Sequence, residues 1–235
     1  MEPIFSIEII TLVPQLWPAL LSEKSGLVGK AFSQGLVKIE ISHLRDFGKG
    51  NYKQVDDAPF GGGAGMVLMI EPLIAAIQRA RARTPGPVIL LSPRGKTFNH
   101  AQALTFCEKN ALTLICGRFE GVDERVRKYV DIDLSIGDFV LSAGDPAAWC
   151  IIDAVVRRLP GVLGNPESLR EESFSRDLLE YPHYTRPAEF AGDAVPQVLL
   201  SGDHQAITKW RHDQSLRITE ESRHDLVDKN QRISR

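Results

Sequence analysis

Aliphatic and β-branched residues gather in five short runs, at residues 4–12, 36–43, 87–92, 111–116 and 130–136. Runs of this length and composition predict strands. Between several of them the apolar positions switch to helical spacing. Glu71-Pro72 opens one helix, because proline suits the first helical position, where its missing N–H costs nothing. Leu73, Ile74 and Ile77 then fall on one face, and Arg79, Arg81 and Arg83 supply the basic end that a helix C-terminus favours. A second helix is expected from Asp145-Pro146, with Asp145 as the cap and Trp149, Ile152, Val156 and Leu159 along one face. Such alternation predicts an α/β domain on a largely parallel sheet.

After Leu159 the texture changes. Pro160, Gly161, Gly164, Asn165 and Pro166 break any regular element, and charged residues follow to about Glu172. The expected division is therefore a first domain at 1–160, a linker at 161–175 and a small helical domain at 176–235, with helices at 201–217 and 219–229. Arg-His-Asp occurs at 211–213 and again at 223–225, but nothing around the two copies repeats. Residues 4–21 do not read as a signal peptide: they lack a basic start, and Glu8, Pro14 and Pro18 interrupt them. No run reaches the roughly 18 apolar residues that a membrane span needs, so no membrane association is expected.

Composition narrows the partners more than the fold. With 235 residues, 43% of them hydrophobic, the chain can bury a substantial core. A net charge of −2 sets up no global basic field, so any contact with nucleic acid has to be local. Cys107, Cys116 and Cys150 are far apart and lack C-x-x-C spacing, which fits a reducing compartment, the cytoplasm.

Several motif templates fail. The glycine run from Phe60 to Gly65 invites a phosphate loop, but Met66-Val67 stand where a Walker A loop needs Lys and Ser or Thr. Gly95-Lys96-Thr97 lacks its first glycine, since Leu90 occupies that position. The run remains either a mobile loop that approaches a ligand or a plain tight turn. None of the six histidines has a ligand-spaced partner, no H-E-x-x-H or G-x-S-x-G occurs, and no metal site is expected. Three segments stand out because glycine and small residues follow directly on expected strands: residues 91–95, 116–125 and 135–145. Loops beyond strand C-termini form the usual ligand crevice of an α/β sheet. Composition alone thus reaches a ligand-binding α/β protein.

Those three segments, with Pro182-His-Tyr-Thr-Arg-Pro187, Pro160-Gly-Val-Leu-Gly164, Asp153-Ala-Val-Val-Arg157 and Val198-Leu-Leu-Ser-Gly202, closely resemble the bacterial tRNA (guanine-N1)-methyltransferase family of the trefoil-knotted SPOUT superfamily. The resemblance runs from Phe5 to about Arg217. It implies a deeply knotted, mostly parallel sheet with flanking helices, S-adenosylmethionine bound in the knot, and S-adenosylhomocysteine as product. The matching cofactor positions are Leu91, Ser92 and Pro93 on the first loop, Gly117, Phe119 and Glu120 on the second, and Ile136, Gly137, Phe139, Leu141, Ala143 and Gly144 on the third. The family more often carries tyrosine at positions 119 and 139 and glycine at 143. Magnesium dependence is associated with the family, although this sequence shows no ligand motif for the ion.

Guanine N1 carries a hydrogen at neutral pH and attacks a sulfonium methyl only as that proton leaves, so a general base is required. Charge then spreads onto O6, where a fixed cation stabilises the transition state. The resemblance places the cation at Arg157 and the base at Glu172, where much of the family has aspartate, with Glu171 as the fallback. Plainer readings exist for both. Asp153 and Arg157 are spaced for a helix-surface ion pair contributing about 0.3–0.5 kcal/mol, and Ser168-x-x-Glu171 could be a capping box. The resemblance further implies a tRNA anticodon loop as substrate, with the target guanosine 3′ of the anticodon, and an obligate homodimer with shared active sites. Candidate RNA contacts are Arg186, Lys209, Arg211 and Arg217, with His183 and Tyr184 for stacking. The rivals are another knotted methyltransferase, acting on rRNA or a ribose hydroxyl, and a noncatalytic RNA-binding homologue.

Overall fold

The computed structural model describes residues 3–165 and 167–227. In chain order the elements are β1 (Phe5–Thr11), α1 (Trp17–Leu20), α2 (Leu27–Ser33), β2 (Val37–His43), the short β3 (Asp56–Asp57) and β4 (Val67–Leu68), α3 (Ile70–Arg83), β5 (Val88–Thr97), α4 (His100–Cys107), β6 (Ala111–Cys116), β7 (Ile132–Ser135), α5 (Asp145–Val156), α6 (Ser168–Glu171), β8 (Glu189–Phe190), β9 (Asp193–Ala194), α7 (Gln197–Leu200) and α8 (His204–Ser222). One compact unit ends at Gly164 and a second begins at Asn165, inside the stretch expected to link two domains.

The five apolar runs form the five strands of one sheet in the order β2-β1-β6-β5-β7, with every pairing parallel. Alternate residues of a strand face opposite sides, and both sides here are covered. Ile7, Ile9, Ile89, Leu91, Leu112 and Leu114 pack with Ile151, Ile152 and Val155 of α5. Ile10, Val88, Leu90 and Ile115 pack with Leu73, Ala76 and Ile77 of α3. A strand buried on both faces reads as a continuous apolar run, which is why β6 shows no alternation and is buried at every position. Glu8 is the exception within β1. It is fully buried, accepts a hydrogen bond from Ser42 Oγ at 2.5 Å and lies 3.9 Å from Arg83.

Three local expectations are corrected. The strand expected at 87–92 continues to Thr97, because the chain bulges after Leu91 and pairs with β7 a second time through Lys96 and Thr97. A Cβ on Gly95 would stand 2.3 Å from Leu134 N, so that second approach needs glycine. Asp145 does not cap α5: Gly144 holds the cap position without a side-chain bond, and the Asp145 carboxylate turns inward instead. In the second unit the helices expected at 201–217 and 219–229 are not separated at residue 218. Instead α8 runs unbroken from His204 to Ser222, capped by Asp203, whose carboxylate accepts from Gln205 N and Ala206 N. Thr219 lies inside it, its hydroxyl donating to Ser215 O at 2.6 Å and accepting from Leu179 N at 2.8 Å. Residues 228 and 229 lie outside the described residues. A small hairpin, β8 with β9, adds strand content that the sequence pattern did not signal.

Candidate functional site

The first unit carries a cavity of about 370 Å³ at the bulge of β5 and beyond the C-terminal ends of β6 and β7. All twelve positions assigned to a cofactor by resemblance line it: Leu91, Ser92, Pro93, Gly117, Phe119, Glu120, Ile136, Gly137, Phe139, Leu141, Ala143 and Gly144. Backbone bonds hold the loops together. Gly144 N donates to Gly117 O at 2.8 Å, and Arg118 pairs with Ala143 in an antiparallel bridge. Ser135 Oγ accepts from Gly137 N and donates to Gly137 O, fixing the entry to the third loop. The mouth is apolar, since Phe119, Phe139 and Leu141 are all substantially exposed. Phe119 has a left-handed backbone, φ +59°, a conformation that costs about 1–2 kcal/mol in an L-residue. The turn is pinned on both sides by Glu120 N donating to Met66 O and Gly121 N donating to Arg118 O.

That first bond ties the glycine run to the site. Gly61, Gly62, Gly63 and Gly65 all have positive φ, and the first three face open space. A Cβ on Gly65 would meet the Glu120 side chain at 2.6 Å. The run is thus an open loop at its start and a close backbone approach to the second cavity loop at its end.

Several lining residues escaped the sequence reading. Arg94 grips Glu124 through two bonds, of 2.7 and 3.3 Å, and Arg127 joins Glu124 at 3.2 Å and also pairs with Asp133. Arg94, and after it Arg127, hold the Glu124 carboxyl below the usual carboxylate range. Arg118, Val140 and Ser142 line the cavity as well. All but Arg127 lie within the three segments already singled out, and Glu124 and Arg127 are spaced i,i+3, but local spacing does not show that Arg94 of β5 and Asp133 of β7 meet that pair. Arg157 does not line the cavity. It closes the far end of α5, and about 20 Å of helix separates it from Gly144 at 1.5 Å per residue.

In the second unit a smaller cavity of about 220 Å³ is lined by Arg170, Glu171, Glu172, Arg176, Tyr181 and Arg211, among others. Glu172 ends α6 in extended backbone. No capping box forms at Ser168: Glu167 takes the cap position, and Glu171 instead accepts from the Tyr181 hydroxyl at 2.8 Å. Arg211 lies 4.8 Å over the Tyr181 ring and 3.8 Å from Glu171. His183 pairs with Glu180 at 2.8 Å, and Tyr184 packs against Trp210 of α8 with ring centroids 6.3 Å apart. Arg186 and Lys209 are exposed, and Arg217 lies 3.8 Å from Glu221. Among the described residues no group of three or more His, Cys, Asp or Glu is placed to hold a metal ion, and no helix is long and apolar enough to cross a membrane.

A parallel sheet whose glycine-bearing loops close over a half-apolar cavity at the strand C-terminal ends defines the class, an α/β protein built to bind a small ligand in the crevice. Comparison makes this particular. The model of the family described as tRNA (Guanine-1)-methyltransferase TrmD matches residues 5–229. A protein of Anaeromyxobacter sp. (strain Fw109-5) is 50% identical over 226 residues, covering 95% of this chain and 90% of its own length. Proteins of Ruegeria sp. (strain TM1040) and Clostridium tetani are 51% and 45% identical, covering 95% and 96% of this chain and 92% and 93% of their own lengths. All three are named tRNA (guanine-N(1)-)-methyltransferase. The chain belongs to this family of enzymes.

Proposed function

We propose that the protein methylates N1 of the guanosine 3′-adjacent to the anticodon of tRNA, using S-adenosylmethionine. The observation that carries the reading is the convergence of all twelve cofactor positions on one cavity. Its volume of about 370 Å³ falls in the roughly 300–1,000 Å³ range of small-molecule sites. Main-chain groups of the β5 bulge and of the loops after β6 and β7 would hold the adenine, and the rings of Phe119 and Phe139 would cover apolar surface. When bound, the cofactor supplies a methyl group already activated on a sulfonium and leaves as S-adenosylhomocysteine. Glu172 takes the N1 proton as N1 attacks, and Arg157 stabilises the charge that gathers on O6. Holding N1 in line with the methyl supplies much of the rate, and no step is assigned to magnesium.

The family resemblance brings a homodimer into the reading, and the placement of Arg157 a helix length from its own cavity is compatible with it. Each active site would combine the knotted cavity of one protomer with the partner's Glu172. The target lies in the anticodon loop, where unstacked bases expose N1. Arg186, Lys209, Arg211 and Arg217 supply local positive charge, with His183 and Tyr184 for stacking, on a chain with no net basic excess. Residues 1–160 would form the knotted cofactor domain, 161–175 the linker and 176–235 the tRNA-binding domain, in a cytoplasmic protein. The test is to incubate purified protein with labelled cofactor and unmodified tRNA and identify the product nucleoside by mass spectrometry. The reading expects 1-methylguanosine next to the anticodon. A methylated ribose, or label in another base, would sink it. Glu172→Ala and Arg157→Ala should retain cofactor binding by calorimetry and lose transfer; normal turnover in either refutes that residue's role.

A further inference from the structure

Glu171 and Glu172 are adjacent carboxylates, and the second unit treats them differently. Glu171 is gripped by the Tyr181 hydroxyl at 2.8 Å, with Arg211 stacked on the same tyrosine and 3.8 Å from the same carboxylate. On the other side of Glu172, Glu180 N donates to Ser173 Oγ at 3.0 Å and Phe174 N donates to Leu178 O at 2.7 Å. Ser175 Oγ donates back to Leu169 O at 2.7 Å. The returning segment is itself fixed to α8 by the bond from Leu179 N to Thr219 Oγ1. Glu172 therefore sits between two tethered neighbours.

We propose that Tyr181 is a positioning residue for methyl transfer: with Arg211 it clamps Glu171, and the clamp sets where Glu172 stands. The inference rests on Glu172 being the base. It also takes Glu171 out of contention for that role, because its carboxylate is already engaged by the Tyr181 hydroxyl and lies beside Arg211. Burial, then the bond to Glu171, pushes the Tyr181 hydroxyl up to about 12, so it remains a donor throughout the neutral range.

Tyr181→Phe keeps the ring beneath Arg211 and removes only the donor, whereas Glu171→Gln keeps an acceptor oxygen for Tyr181. In single-turnover transfer to tRNA, Tyr181→Phe and Glu171→Ala should each slow kcat about tenfold, the effect of losing one charge-assisted hydrogen bond. Glu171→Gln should stay within about threefold. The Tyr181→Phe, Glu171→Ala double variant should be no slower than the slower single variant, since both break one bond. Cofactor affinity should be unchanged throughout, and amide exchange over residues 169–175 should speed up in Tyr181→Phe and Glu171→Ala but not in Glu171→Gln. Three results overturn the proposal: wild-type kcat in Tyr181→Phe, a Glu171→Gln variant as inactive as Glu172→Gln, or a raised KM for tRNA with unaltered kcat and exchange, which would make Tyr181 an RNA contact. Failure of the base assignment is separately visible, as Glu172→Gln transferring at the wild-type rate while exchange over 169–175 still depends on Tyr181.

Discussion

A Cβ on Gly144 would stand 2.8 Å from Cys116 Cα and 2.9 Å from Gly117 N, and at such distances backbone has to yield rather than a flexible side chain. Gly144→Ala should therefore cost about 1–3 kcal/mol, as overpacking does, and should also spread the second and third loops. Thermal melts with and without S-adenosylmethionine check this: the variant should melt lower and gain less from the cofactor. Tyr181 gives a prediction in pH. Its folded value of about 12 lies above the roughly 10 of an unfolded tyrosine. The stability contributed by the neutral phenol is thus fully present below about pH 10 and is lost as pH rises from there toward 12. The urea-unfolding difference between wild type and Tyr181→Phe should be constant up to that range and shrink above it. At this scale the sequence is legible where one residue type is demanded by chemistry or backbone, as with the cavity glycines. It is silent on the pairing of Arg94 with Glu124, which depends on which segments come to face each other.

The start of α5 is the element on which the cavity turns. Asp145 is almost fully buried, and its Oδ1 accepts from Thr11 Oγ1 at 2.6 Å and from Trp17 Nε1 at 3.1 Å. One carboxylate so joins the end of β1, the helix after it and the end of the third cavity loop. Burial, followed by this carboxylate, pushes the nearby Cys116 thiol well up, so Cys116 stays a protonated, inert core group. Asp145→Ala strands a hydroxyl and an indole N–H in the core, and each unsatisfied group costs about 1–3 kcal/mol. Urea titration should show that loss, and a thiol reagent, which in the native protein should reach exposed Cys150 first, should begin to reach Cys116. Asp-Pro at a helix start reads as a cap in sequence, because the inward turn of this carboxylate is dictated by Thr11 and Trp17, more than 120 residues away. The extension of β5 to Thr97 has the same origin: a second pairing with β7 that local propensity does not encode.

For the whole molecule, the decisive dimension is the length of α5, which separates Arg157 from Ala147, the last cavity residue on that helix, by about 15 Å. If active sites are shared, a chain whose cavity is blocked by Gly117→Trp and a Glu172→Ala chain, each inactive alone, should complement when mixed and refolded together, because in the heterodimer the open cavity faces the chain that keeps Glu172. Sedimentation should report twice the chain mass. Recovery of no activity in a verified heterodimer counts against shared sites.

The five strands, the largely parallel sense of their sheet, the two main helices of the first unit and the three cavity loops follow from local pattern: strands covered on both faces must be apolar, and loops that approach backbone to backbone must carry glycine; the lateral order of the strands does not. Arg-Ile-Thr at 217–219 offers no helix breaker, and tertiary packing carries α8 straight through it, with Thr219 bonded to the segment beside it. What only the tertiary structure decided are the long-range partnerships, namely Asp145 with Thr11, Arg94 with Glu124, Gly95 against Leu134 and Tyr181 with Glu171. Each is a contact between residues that no periodicity relates, so its energy exists only once the chain has brought distant segments together.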